Sequence, residues 1–140
     1  MKLHNFPSRL AAGAFILNAG LGKLSAEPET AGGLHGMATG TYPFLSSIPA
    51  SRFVRILAIS EIALGSALLL PLVPDRKAGF GLTVFAASLL GLYFRTPGMR
   101  QEGTVRPTQQ GTPIAKDVWL LGIGLSLLLD RARAKSTDAE

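Results

Sequence analysis

Residues 53–73, FVRILAISEIALGSALLLPLV, narrow what this chain can fold into more than any other stretch. A helix of that length reaches about 30 Å, the thickness of a bilayer's hydrocarbon core. Yet it carries Arg55 near its start and Glu61 in its interior. A charge at such depth costs about 2.5–3.5 kcal/mol on insertion scales, so it needs a partner or a purpose. The central question is what answers Glu61.

Only 16% of the 140 residues are charged and 47% are hydrophobic, whereas soluble domains are charged at roughly one residue in four. The apolar residues gather into four blocks. The expected fold is therefore all-α, a polytopic membrane four-helix bundle in one domain. Its helices are predicted at about 9–24, 52–73, 77–95 and 113–130, followed by a polar tail over 131–140. The opening MKLHNFPSRLAAGAFILNAGLG superficially resembles a signal peptide. Asn18 interrupts its apolar run and Lys23 follows it, so it is taken as a retained helix. Ser8 is the expected cap of that helix, and Arg9 and Lys23 snorkel at its ends.

Residues 25–51 hold several Gly and Pro, and a connection of that length is rarely structureless. An interfacial or re-entrant segment over 33–49 is expected, with Tyr42 and Phe44 at headgroup depth; a plain loop is the alternative. Pro74-Asp75-Arg76-Lys77 makes a tight turn, with Asp75 capping the next helix, so the second and third helices should form an antiparallel hairpin. Thr112 is the expected cap of the fourth helix, with Pro113 at its first position.

A net charge of +5 would fit a nucleic-acid surface, but the bases flank apolar blocks as membrane anchors do, so no nucleic-acid partner is expected. The lipid bilayer is the expected partner, in a multi-pass protein of the cell membrane. With Lys23, Arg55 and Lys116 set aside as embedded, seven bases on the terminal side face four opposite, which favours cytoplasmic termini. Cysteine is absent and histidine occurs only at His4 and His35, so thiol chemistry, cysteine-ligated clusters and a metal site are not expected. No nucleophile–base pair or phosphate loop is visible, and no catalytic residue is assigned.

Antiparallel helices bring Lys23, Arg55, Arg95, Lys116 and Asp117 toward the face opposite the termini. Glu61 lies six residues beyond Arg55, about 9 Å deeper and on another side of the helix, so its partner must come from elsewhere. Lys23 and Lys116 are the expected partners, with Arg9 at the far end a third. Several of these residues have simpler uses. Lys23 and Arg95 suit snorkelling anchors, Asp117 a helix cap, Trp119 an interface anchor and Asn18 an interhelical hydrogen bond. For Glu61 the alternatives are a structural ion pair or a pocket bordered by five residues, Lys23, Arg55, Glu61 itself, Lys116 and Asp117. That pocket has net charge +1, or +2 with Arg95, and suits a quinone head, a lipid phosphate or a small acid.

RLAAGAFILNAGLGKL, SEIALGSALLLPL and AKDVWLLGIGLSLLL, in that order, resemble the DoxX family of small membrane proteins. The matching features are Arg9, Gly20 to Lys23, Glu61 with Gly65, and Lys116-Asp117. The resemblance implies a four-helix membrane bundle acting as an accessory, anchor or assembly subunit of a respiratory or other quinone-linked redox complex. It also implies other membrane subunits as partners, with a homo-oligomer as a further option. A quinone is the cofactor it implies, with none covalently bound. From the residues themselves, the alternative is a binding or transport protein for a quinone, lipid or organic acid around Glu61.

Overall fold

Prolines and small polar residues divide the chain into helices. In the computed structural model, which describes residues 1–130, the only β-pairing is an isolated antiparallel bridge between Arg100 and Pro107. The helices are α1 (Phe6–Leu24), α2 (Pro28–Thr41), α3 (Ala50–Leu69), α4 (Asp75–Arg95), α5 (Thr112–Ala115) and α6 (Val118–Leu129). Short 3-10 turns precede α1 and α3. The fold is all-α, and the polar tail over 131–140 lies outside the described residues.

Among the described residues, two helices are long and apolar enough to cross a membrane: α4, and the run Thr112–Leu129 that joins α5 to α6. Every such window of α3 contains Arg52, Arg55 and Glu61, while Arg9, Asn18 and Lys23 lower the hydropathy of α1.

The helices pack as two close antiparallel pairs, α1 with α3 and α4 with α6. Although α3 and α4 share the tight turn, they touch only sparsely, so the expected hairpin is not the packing unit. Glycine decides this. A Cβ on Gly65 of α3 would lie 2.6–2.8 Å from the backbone N and Cα of Leu17 in α1. On the other pair, a Cβ on Gly79 would lie 2.8 Å from the backbone N of Leu128, and one on Gly124 equally close to that of Thr83. Close backbone approach of this kind is what small residues permit between helices in lipid. The remaining core is thin, with Ile16, Leu68, Leu82 and Leu127 among its few large buried side chains. Gly65→Ala should force α1 and α3 apart and cost about 1–3 kcal/mol, measured as a lowered midpoint of thermal unfolding in detergent.

Several expected boundaries move. α3 stops at Leu69 rather than near 73, because Leu70 is extended and Arg9 of α1 takes over its terminal carbonyls. Asp75 does not cap α4; its carboxylate turns to Arg9, Asn5 and the Lys2 backbone N–H. Ser8 lies inside α1, and its hydroxyl donates to the Asn5 carbonyl. Thr112 is the first residue of α5, which Gly111 precedes. The predicted fourth helix is interrupted at Lys116-Asp117, where the bonds tighten to Asp117 N–H to Ile114 O and Trp119 N–H to Lys116 O. Within 25–51 the chain forms α2, and Tyr42 beyond it donates to the Ser88 carbonyl of α4 at 2.8 Å. The close approach of the Tyr42 hydroxyl to Gly91 leaves no space there for a Cβ. Asn18 faces outward, exposed on α1, and does not bridge helices as expected.

The start of the chain closes one end of the bundle. Asn5, 6% exposed, donates through Nδ2 to Asp75 at 3.1 Å and to Asp130 at 2.9 Å, tying the start of α4 to the end of α6. Lys2 pairs with Asp130 at 3.0 Å, and His4 Nε2 lies 3.3 Å from it. The Lys2 hydrogen bond above all, with Asn5 and His4 assisting against some desolvation, holds the Asp130 carboxyl at about 2, below its usual 3.8. A depressed carboxyl stabilises the fold above its unfolded value and loses that contribution as pH falls through the folded one. The stability difference between wild type and Asp130→Asn should be constant above about pH 4 and shrink between about pH 4 and 2, as followed by acid titration of unfolding midpoints.

Candidate functional site

The answer to Glu61 comes from α1. A Cβ on Gly20 would lie 2.9 Å from the Ala58 carbonyl and from Glu61 Cβ, so the two helices nearly touch at this level. Lys23, three residues further along α1, thereby reaches across to α3. Its Nζ lies 2.8 Å from Glu61 Oε2 and 3.0 Å from Oε1, and also donates to the Ala19 carbonyl at 3.4 Å. All three ammonium donors are used. Glu61 is enclosed at 5% exposure, whereas the Lys23 side chain is 22% exposed. The pair is thus open on the lysine side and closed on the carboxylate side.

The opening leads to a cavity of about 750 Å³ between the end of α1 and the starts of α2 and α3. Lys23, Arg52 and Arg55 line it together with Leu24, Ala31 and Val54, and no acidic residue contributes. Arg52 and Arg55 are three apart on one helix, which places them as neighbours on one face. Neither has an ion-pair partner among the described residues. The first turn of α3 adds its own positive end, since Pro49 supplies no side-chain cap. Three cations, uncapped N–H groups and apolar walls converge on one space. Such a lining can hold an oxyanion by charge and by bidentate guanidinium bonds, with an apolar group beside it.

The other expected members of the charge ring are distributed around this centre. Asp117, half-buried at the break between α5 and α6, is near enough to Glu61 for the two carboxylates to repel each other. Lys116 does not reach Glu61; its Nζ sits 5.7 Å from the ring centroid of Phe15. Arg95 is elsewhere, lining a second cavity of about 510 Å³ with Phe94, Arg100, Glu102 and Val105. The Arg95 position follows from the 96–111 loop, which folds back on itself through Gln101 N–H to Arg106 O and Thr108 N–H to Met99 O. Loop and cavity are anchored by the Tyr93 hydroxyl, which donates to the Val105 carbonyl at 2.7 Å. His35 rests against Phe53, ring centroids 5.4 Å apart, with Nε2 3.1 Å from the Leu45 carbonyl. No group of three metal-ligating side chains occurs among the described residues.

Arg52 was missed as a cavity residue, although its spacing from Arg55 was a usable signal. No protein-family model, curated protein or solved structure matches this chain.

Proposed function

We propose that this protein is a multi-pass membrane protein that binds an amphipathic oxyanion, a phosphate or carboxylate head with an apolar tail, in the cavity beside Lys23. The observation that carries this reading is the all-basic lining of that cavity, with Arg52 and Arg55 unpaired among the described residues. Of the head groups suited to the charge ring, a neutral quinone makes the least use of three cations.

Membrane embedding is supported by the surface. Only 28% of the α4 span and 22% of the Thr112–Leu129 span are buried within the molecule, unlike core helices of a soluble domain. Phe80, Val84, Leu125 and Leu129 face outward from them. In this reading α1 and α3 also cross the bilayer, completing a four-helix bundle. Their charges are tolerable because Arg9 and Glu61 are paired inside the bundle and Lys23 opens to the cavity. α2 and exposed Phe44 then lie at the interface on the cavity side, and the termini are cytoplasmic by the distribution of bases.

The full chain in phosphatidylcholine nanodiscs should bind decyl phosphate, measured by calorimetry against empty discs. Inorganic phosphate should bind more weakly for want of a tail, and decyltrimethylammonium not at all. Arg52→Gln with Arg55→Gln should weaken decyl phosphate binding by more than about tenfold, since a bond to a charged group contributes about 1.5–3 kcal/mol. Equal uptake of the cationic amphiphile, or indifference to both arginines, would contradict the proposal.

An accessory subunit of a quinone-linked redox complex is the second reading. The ordered pieces that resemble DoxX proteins favour it, as do outward apolar faces such as Phe15, Leu21, Ile56 and Ile59 on α1 and α3. Purification of the native protein in mild detergent should then yield oxidoreductase partners; a lone particle would count against it.

A further inference from the structure

Lys23 serves two places at once. It is the partner of enclosed Glu61 and a lining residue of the basic cavity. An oxyanion seated against Arg52 and Arg55 competes with Glu61 for the same ammonium group. We infer that anion binding in this cavity is coupled to uptake of one proton by Glu61, so that the protein takes up the anion and the proton together.

The inference rests on the binding reading above and on charge balance in a poorly solvated space. Lys23 and Glu61 form a neutral pair, and Glu61 is the enclosed member of it. When an anion takes Lys23, Glu61 would be left as a carboxylate at 5% exposure with Asp117 repelling it. Leaving a buried charge without its partner costs several kcal/mol, and neutralisation is the usual escape. A proton from solvent joins a Glu61 carboxylate oxygen, the anion takes the Lys23 ammonium as its counter-charge, and Glu61 stays enclosed as a neutral carboxylic acid.

The other elements offer Glu61 no substitute cation. From α1, Lys23 is its ion-pair partner, and Arg9 is engaged at the far end with Asp75. Between α5 and α6, Asp117 adds repulsion, while Lys116 lies over Phe15. On α3 itself, Arg52 and Arg55 face the cavity. α4 bears Asp75, Arg76 and Lys77 at its far end, and Arg95 in the separate loop cavity. α2 contributes Glu29 and His35, the latter held between Phe53 and the Leu45 carbonyl.

Decanesulfonate tests this, because its own charge is fixed across the pH range. Its Kd for the full chain in phosphatidylcholine nanodiscs should rise about tenfold per pH unit where one proton is linked to binding. Calorimetry in PIPES and in Tris at one pH should return uptake of about one proton per bound anion. Glu61→Gln should keep binding and lose both the slope and the proton, while Asp117→Asn should keep them. Binding with no slope and no proton uptake in wild type overturns the coupling and leaves the binding reading standing; so does a slope that Asp117→Asn abolishes and Glu61→Gln retains, which moves the proton off Glu61. No binding of decanesulfonate at any pH overturns both.

Discussion

Arg9→Ala should lower stability by about 3–5 kcal/mol, the range for removing one partner of a buried ion pair. Arg9 is completely buried, and each of its five N–H donors has an acceptor. Nε donates to the Leu68 carbonyl at 2.8 Å, and the two terminal nitrogens to those of Ala67, Leu70 and Val73 and to the Asp75 carboxylate. The guanidinium of α1 therefore caps the C-terminal carbonyls of α3 from another helix, beside the negative end of the helix dipole. Arg9→Lys keeps the charge but offers three donors without the planar fork, so about half the loss is expected. Asp75→Asn should cost less than Arg9→Ala, because four backbone acceptors remain for the arginine. Unfolding midpoints in detergent rank the three variants, and the expected order is Arg9→Ala below Arg9→Lys below Asp75→Asn.

The second large effect is an asymmetry within the Lys23–Glu61 pair. Lys23→Met leaves Glu61 enclosed without its cation and should cost about 3–5 kcal/mol at neutral pH. Glu61→Gln leaves Lys23 able to swing its ammonium into the cavity, so about 1 kcal/mol is expected. Lys23→Met combined with Glu61→Leu should return to within about 1 kcal/mol of wild type, since apolar replacements of a buried pair are often neutral. With the single variant Glu61→Leu added to close the cycle, unfolding midpoints measure the coupling directly. Equal losses from the two single variants would mean that Lys23 has no open side.

These two residues also mark what could be learned from the chain alone. The need of Glu61 for a partner on another helix followed from its depth and rotation relative to Arg55, and Lys23 lay at a compatible depth. Arg9 was legible as a charge at a helix end, but four of its five acceptors are backbone carbonyls, which no residue type announces. Pairing was misjudged for a related reason. A short turn ties α3 to α4, yet the faces of Gly65, Gly79 and Gly124 choose other neighbours, and those contacts lie between distant parts of the sequence. The interfacial or re-entrant segment was expected over 33–49, whereas α2 runs over Pro28–Thr41, because Gly32, Gly33, Gly36 and Gly40 weaken its helical signal. Arg95 left the charge ring and lines a separate cavity together with residues of the 96–111 loop. The interruption at Lys116-Asp117 was hidden by an otherwise continuous apolar run.

The most direct test of a basic, ligand-accessible cavity uses the natural absence of cysteine. Ser51, exposed on the first turn of α3, lines the cavity beside Arg52. In the full chain carrying Ser51→Cys, an anionic methanethiosulfonate should react faster than a cationic one of similar size, and decyl phosphate should slow both. Faster reaction with the cationic reagent, or rates that decyl phosphate leaves unchanged, would contradict an anion-binding cavity.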